Sequence, residues 1–159
     1  MPTSFSLEES KTLAQAPVLA GLAVSMVDLG IVSTVPEAAA LSQQIAGAAQ
    51  KYPNNSVIQS VFSEEAFKSG VVKLDKPEIK PEDVESGALV EQAIATINTA
   101  LALLNGKASS EEITEYKAFI YACAEAVANA AGSGLFGIGA KVSDKEAAAL
   151  AKFKSVLLS

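Results

Sequence analysis

Three parts of this sequence carry side chains able to do chemistry: the lone thiol of Cys123, a carboxylate and phenols at Glu125, Tyr116 and Tyr121, and the glycine-rich run GSGLFGIGAK ending at Lys141. A cysteine is nucleophilic as its thiolate, which forms readily beside a cation or a helix N-terminus. Cys123 instead falls in the middle of an apolar helical face, where it reads as a small buried hydrophobe, and a single cysteine forms no intramolecular disulfide. Glu125 with Tyr116 or Tyr121 would be an acid/base pair, although the spacing sets Glu125 on the polar edge of its helix. The glycine run lacks the G-x-x-x-x-G-K-[ST] spacing of a phosphate cradle and follows a helix, not a strand. It reads either as an apolar plug formed by Leu135, Phe136 and Ile138 or, if these are exposed, as a partner surface.

The rest of the composition narrows the chemistry further. There is no histidine, and every basic residue is lysine, so the commonest general base and the bidentate guanidinium fork are both missing. A net charge of −6 argues against nucleic acid, whose backbone demands clustered cations. The acidic start, with Glu8 and Glu9 ahead of the first apolar run, predicts no signal peptide and a cytoplasmic protein. The longest weakly charged run, 118–140, is interrupted by Glu125, Asn129 and several glycines, which predicts no membrane span.

The elements that must position these residues are helices. Half of the 159 residues are hydrophobic and alanine is abundant, which predicts an all-α single domain over 1–159: a bundle of about six to eight helices, with an exposed connector at 70–81. Ile113, Tyr116, Ile120, Cys123 and Val127 recur at steps of three or four, widened by Phe119, Ala122 and Ala126, and predict one long helix. Ser109 or Ser110 should cap it and the glycines at 132–134 should end it. A final helix is capped by Ser143, with Glu146 in capping-box spacing and Leu150, Phe153 and Leu157 along its seam.

Upstream, Ser6 caps a short helix through about Gln15. Pro17 is expected to start a second piece, with Leu19, Leu22, Ala23, Met26 and Leu29 as its stripe, ending near Gly30. Thr34, Pro36 and Glu37 open a helix whose buried edge is Leu41, Ile45, Ala48 and Tyr52, broken by Pro53. Val57, Ile58, Val61, Phe62 and Phe67 mark one helix, or two divided near Ser63. Pro81, with Glu82 and Asp83, opens the next helix, whose seam is Val90, Ile94, Ile97, Leu101 and Leu104, closed by Gly106.

VSTVPEAAAL at 32–41 and VSDKEAAAL at 142–150 echo each other, each following an apolar helix and a glycine-containing loop, and suggest two pseudo-repeated helical hairpins. This arrangement resembles the tellurite-resistance TerB-like family, whose members carry two copies of an Ala-rich helix, an Asp-Gly loop and a Ser-x-x-Glu helix start. The first copy here reads Asp28-Leu29-Gly30-Ile31-Val32-Ser33, with one residue between Asp and Gly. The second has Asn129-Ala130-Ala131-Gly132 where the acidic pair would stand. The resemblance implies an all-α, non-enzymatic fold associated with stress responses, with divalent metal as the one candidate ligand at loop carboxylates. Carried onto this chain, the candidate metal residues are Asp28 and Glu37, joined by Asp144 and Glu146 if the loops approach each other. A hard cation asks for about six oxygen ligands, and Glu37, Asp144 and Glu146 are also accounted for as first-turn helix charges.

The functional expectation is therefore a non-enzymatic binding or scaffold domain, self-associating through an Ala-rich face or holding a protein partner. The alternative is a binder of an apolar small molecule or lipid between helices.

Overall fold

A computed structural model describes residues 5–27, 34–68, 88–132 and 144–157. These residues form α1 (Leu7–Val27), α2 (Thr34–Lys51), α3 (Ser56–Phe62), α4 (Glu64–Lys68), α5 (Ala88–Leu104), α6 (Ser110–Gly132) and α7 (Asp144–Leu157). The architecture is an all-α bundle. No helix among the described residues is long and apolar enough to cross a membrane.

α1 and α6 are the axis of the bundle. They pack along each other, α5 lies against α1, and α2 lies against α6. α7 rests on α6 and α1, while α3 bridges α2, α1 and α6. The second helix of each end of the chain thus touches the long helix of the other end. One hydrophobic cluster runs through these contacts, from Leu13 and Val24 through Ile45, Ile58, Ile97 and Ile120 to Phe153 and Leu157.

The long helix α6 follows its sequence period closely. Tyr116, Phe119, Ile120, Cys123 and Val127 are buried, and so are Ala124 and Ala128, because helices lie against more than one side of the rod. Phe119 meets Phe62 edge to face with ring centroids 5.0 Å apart, and meets Tyr52 at 6.3 Å. Such pairs add about 0.5–1.5 kcal/mol beyond the area they bury. α5 likewise buries Val90, Ile97 and Leu104, with Ala93 and Ala100 filling the same face. It ends where Gly106 takes φ of +86°, a left-handed position that glycine adopts without the steric cost of a Cβ. The stretch 56–68 divides into α3 and α4 at Ser63, whose backbone is extended.

α1 departs from the expectation of two pieces: it is one helix of 21 residues with Pro17 inside it. A proline in a helix interior lacks the N–H that would bond the carbonyl four residues back, here Leu13. The Tyr116 hydroxyl on α6 donates to that carbonyl at 2.6 Å, inside the core. The bond that the local sequence deletes is replaced from another helix, so the interruption is tolerated.

The stripe of α1 is wider than expected: Ala23, Leu19 and Leu22 do pack on the core, and further positions are buried more deeply. Leu13, Ala16, Ala20, Ala23 and Val24 are fully buried, whereas Leu19 and Leu22 are partly exposed. The small side chains at 16, 20 and 23 let α5 and α6 approach the axis on both sides, and the bulkier leucines border that face. The connector 70–81, the helix start at Pro81 and the loop with Leu135, Phe136 and Ile138 lie outside the described residues.

Candidate functional site

The densest group of polar side chains in the described residues lies where the starts of α3 and α6 meet. Asn55 caps α3: its Oδ1 accepts from the Ile58 amide at 3.1 Å, closing the first turn of a helix too short to stand alone. The same side chain is fully buried, and its Nδ2 donates to the Glu112 carbonyl at 3.0 Å and to Glu115 Oε1 at 3.3 Å. One amide therefore closes α3 and fixes it against the first turn of α6.

Glu112 works from the other side. With Ser109 it forms a reciprocal capping box: the Glu112 amide donates to Ser109 Oγ at 3.1 Å, and Oε2 accepts from the Ser109 amide at 2.9 Å. Its second oxygen, Oε1, accepts from the Ser56 hydroxyl at 2.6 Å and the Ser56 amide at 2.9 Å. The Ser56 hydroxyl, followed by the Ser109 amide, holds the carboxyl below its ordinary range, with partial burial opposing them. An ionised, acceptor-only group is what this arrangement requires.

A second Ser-x-x-Glu box opens α1. The Ser6 amide donates to Glu9 Oε2 at 2.8 Å, and the Glu9 amide donates to Ser6 Oγ at 3.2 Å. Glu9 Oε1 then takes Lys107, from the turn between α5 and α6, whose ammonium also lies 5.6 Å from the centre of the Phe5 ring. Lys107 and then the Ser6 amide hold the Glu9 carboxyl below its usual range. Both capping glutamates thus use one oxygen within their own helix start and one on another element.

The side chains singled out for chemistry are placed otherwise. Tyr116 is fully buried and its hydroxyl is committed to Leu13; burial pushes its phenol well above the ordinary value. Glu125 is exposed on α6, nine positions further on and so roughly 13 Å along the axis at the rise of an α-helix. The two are not brought together. Tyr121 is one turn from Glu125 and half-buried. Cys123 is fully buried, and burial pushes its thiol far above the usual thiol range despite the opposing charge of Lys51. That environment suits a packing group and disfavours a thiolate.

Of the candidate metal residues, Glu37 falls near the start of α2, and Asp144 and Glu146 fall in the first turn of α7. Asp28, like Lys141 of the glycine run, lies outside the described residues, as do the side-chain positions of the other three. Among the described residues no group of three or more His, Cys, Asp or Glu side chains is arranged to hold a metal ion.

Sequence reasoning identified Ser6 as a cap and left Ser109 or Ser110 as the other, of which Ser109 makes the box, but missed the reach of Glu9 and Glu112 beyond their own helices, and missed Asn55 as a bridge. The Ser-x-x-Glu spacing at both helix starts was a readable signal for the local half of each contact. The distant half, at Lys107 or Ser56, carries no local signature. Compared with known protein families, curated proteins and solved structures, the chain matches none.

Proposed function

We propose that this chain is a non-enzymatic helical binding or scaffold domain, working in the cytoplasm, of the TerB-like kind and tied to stress responses as that resemblance implies. The observation that carries the reading is the commitment of the described interior groups to the frame. Tyr116 completes α1, Asn55 and Glu112 join α3 to α6, and Cys123 is packed away from solvent. Among the described residues no buried side-chain nitrogen or oxygen lacks a partner. A catalytic group must instead keep an atom free to face a substrate.

Binding falls to the outer faces. Ala95 and Ala102 on α5 and Ala147, Ala148 and Ala151 on α7 are exposed small residues, which let another helix approach closely. We assign self-association, or the docking of a protein partner, to such faces. Weak divalent-metal binding at Asp28, Glu37, Asp144 and Glu146 stands as an alternative to this reading. Light scattering on the purified chain over a range of concentrations, with pull-down from cell extract, tests self-association and docking. A defined oligomer or a reproducible stoichiometric partner is expected; a strict monomer that retains nothing would overturn it.

A further inference from the structure

We propose that one end of the bundle is an acid-labile clasp, in which the carboxylates of Glu9 and Glu112 tie the turn between α5 and α6 to the starts of α1 and α3, and their protonation loosens those starts while the rods stay packed. The geometry that carries this is convergence. Lys107 and Ser109 stand two residues apart in one turn; the first reaches Glu9 on α1, and the second is boxed with Glu112, which also takes Ser56 at the start of α3.

The forces divide by position. The rods are held by apolar seams: Val57, Ile58, Val61 and Phe62 of α3 and Leu13, Ala16 and Ala20 of α1 are buried, and their packing does not change with pH. The ends are held by acceptors. Glu112 receives three hydrogen bonds through its two oxygens, and a protonated carboxyl turns one of those oxygens into a donor. No cation faces Glu112 in these bonds. The carboxylate's partners are Ser56 and Ser109, while Asn55 donates to the Glu112 backbone carbonyl and to the carboxylate of Glu115 one turn on. Glu9 faces the Lys107 ammonium, with Glu8 and Lys11 on its own helix paired to each other at 3.6 Å. The two halves of the clasp therefore differ: salt screens the Glu9 half and leaves the Glu112 half largely unaffected.

Both carboxyls sit below their usual range, so the clasp is closed at neutral pH and opens as pH falls through that lowered range. The exposed pairs Lys68–Glu64 and Lys152–Glu91 lie elsewhere and are surface contacts of small weight.

The test is amide hydrogen exchange, residue by residue, on the full chain at pH 7, comparing wild type with E112Q and with E9Q, each in low and high salt. For E112Q, the amides of Ser56, Ile58, Ser109 and Glu112 should exchange about tenfold faster or more, with no salt dependence, while those of Ile97, Ile120 and Phe153 stay unchanged. For E9Q the first turn of α1 should exchange roughly two- to threefold faster, and added salt should produce the same change in wild type. Uniform acceleration across all helices, or none at the named amides, overturns the proposal. Should E112Q fail to fold, wild-type exchange at decreasing pH, corrected for intrinsic rates, gives the same decision: the named amides must lose protection before the seam amides, and simultaneous loss refutes the clasp.

Discussion

Replacing Tyr116 by phenylalanine removes one hydroxyl and leaves the ring and its packing in place. The hydroxyl is the donor to Leu13 O at 2.6 Å, and the backbone N–H that would otherwise serve that carbonyl is missing because residue 17 is proline. In Y116F the Leu13 carbonyl is left buried with no donor, a loss of about 1–3 kcal/mol. Pro17→Ala supplies an N–H to the same carbonyl. In a P17A background the second loss should therefore shrink to about 1 kcal/mol or less, since the carbonyl keeps a partner. Taking the middle of that range, about 2 kcal/mol against about 1 or less, the expected coupling is about 1 kcal/mol, larger than the roughly 0.3–0.5 kcal/mol within which independent sites add. Urea unfolding of wild type, Y116F, P17A and the double variant, analysed by linear extrapolation, measures all four corners. For a chain of this length the Y116F loss corresponds to a fall in Tm of about 2–12 °C. Equal losses for Y116F in the two backgrounds would refute the reasoning, because the phenol would then stabilise α1 for a reason unrelated to the proline.

Further outcomes follow from other positions. Gly47 sits in the interior of α2 with nothing within 4 Å of where a Cβ would stand, so G47A should raise stability by about 0.5–1 kcal/mol in the same urea assay. Gly106 has equal space but a φ of +86°, so G106A should lower stability by about 1–2 kcal/mol. On the alkaline side, Cys123 and Tyr116 are held neutral in the fold with raised values, so their contribution is complete below the ordinary thiol and phenol ranges and falls as pH rises through them. Stability should decline above about pH 9 by roughly 1.4 kcal/mol per pH unit for each group, and C123A should delay the onset toward pH 10; a flat profile to pH 11 would contradict the assignment. Calorimetry with Ca²⁺, Mg²⁺, Mn²⁺ and Zn²⁺ at millimolar concentration tests capture at Asp28, Glu37, Asp144 and Glu146: heat abolished by substituting Asp28 supports it, and absence of both heat and a melting shift removes it.

The parts of the fold legible in the sequence were those specified within a few residues. The face of α6 could be read because its apolar side chains recur at the helical period, and the end of α5 because Gly106 marks a backbone position others avoid. The break expected at Pro17 failed for a physical reason: local rules price the lost hydrogen bond, while the Tyr116 hydroxyl that replaces it is far away in sequence. The expected stripe of α1 was incomplete rather than wrong: Ala23 is buried and Leu19 and Leu22 pack against the core, but the deeper positions Leu13, Ala16, Ala20 and Val24 were not read. A rod packed on two sides also buries the small alanines at 16 and 20, where helices come closest, with Leu19 and Leu22 at the margin of that face. Glu112 was recognisable as a first-turn charge, but its bonds to Ser56 exist only once α3 is folded back on α6.

The central claim is that the buried groups able to do chemistry among the described residues, Tyr116 and Cys123, are locked into the frame, and the labelling rate of the Cys123 thiol tests it most directly. With the thiol buried at the core of α6, labelling of the native chain at neutral pH should be slow and should accelerate with denaturant in parallel with global unfolding. Rapid labelling without denaturant would contradict it, placing an accessible, activated thiol in the middle of α6.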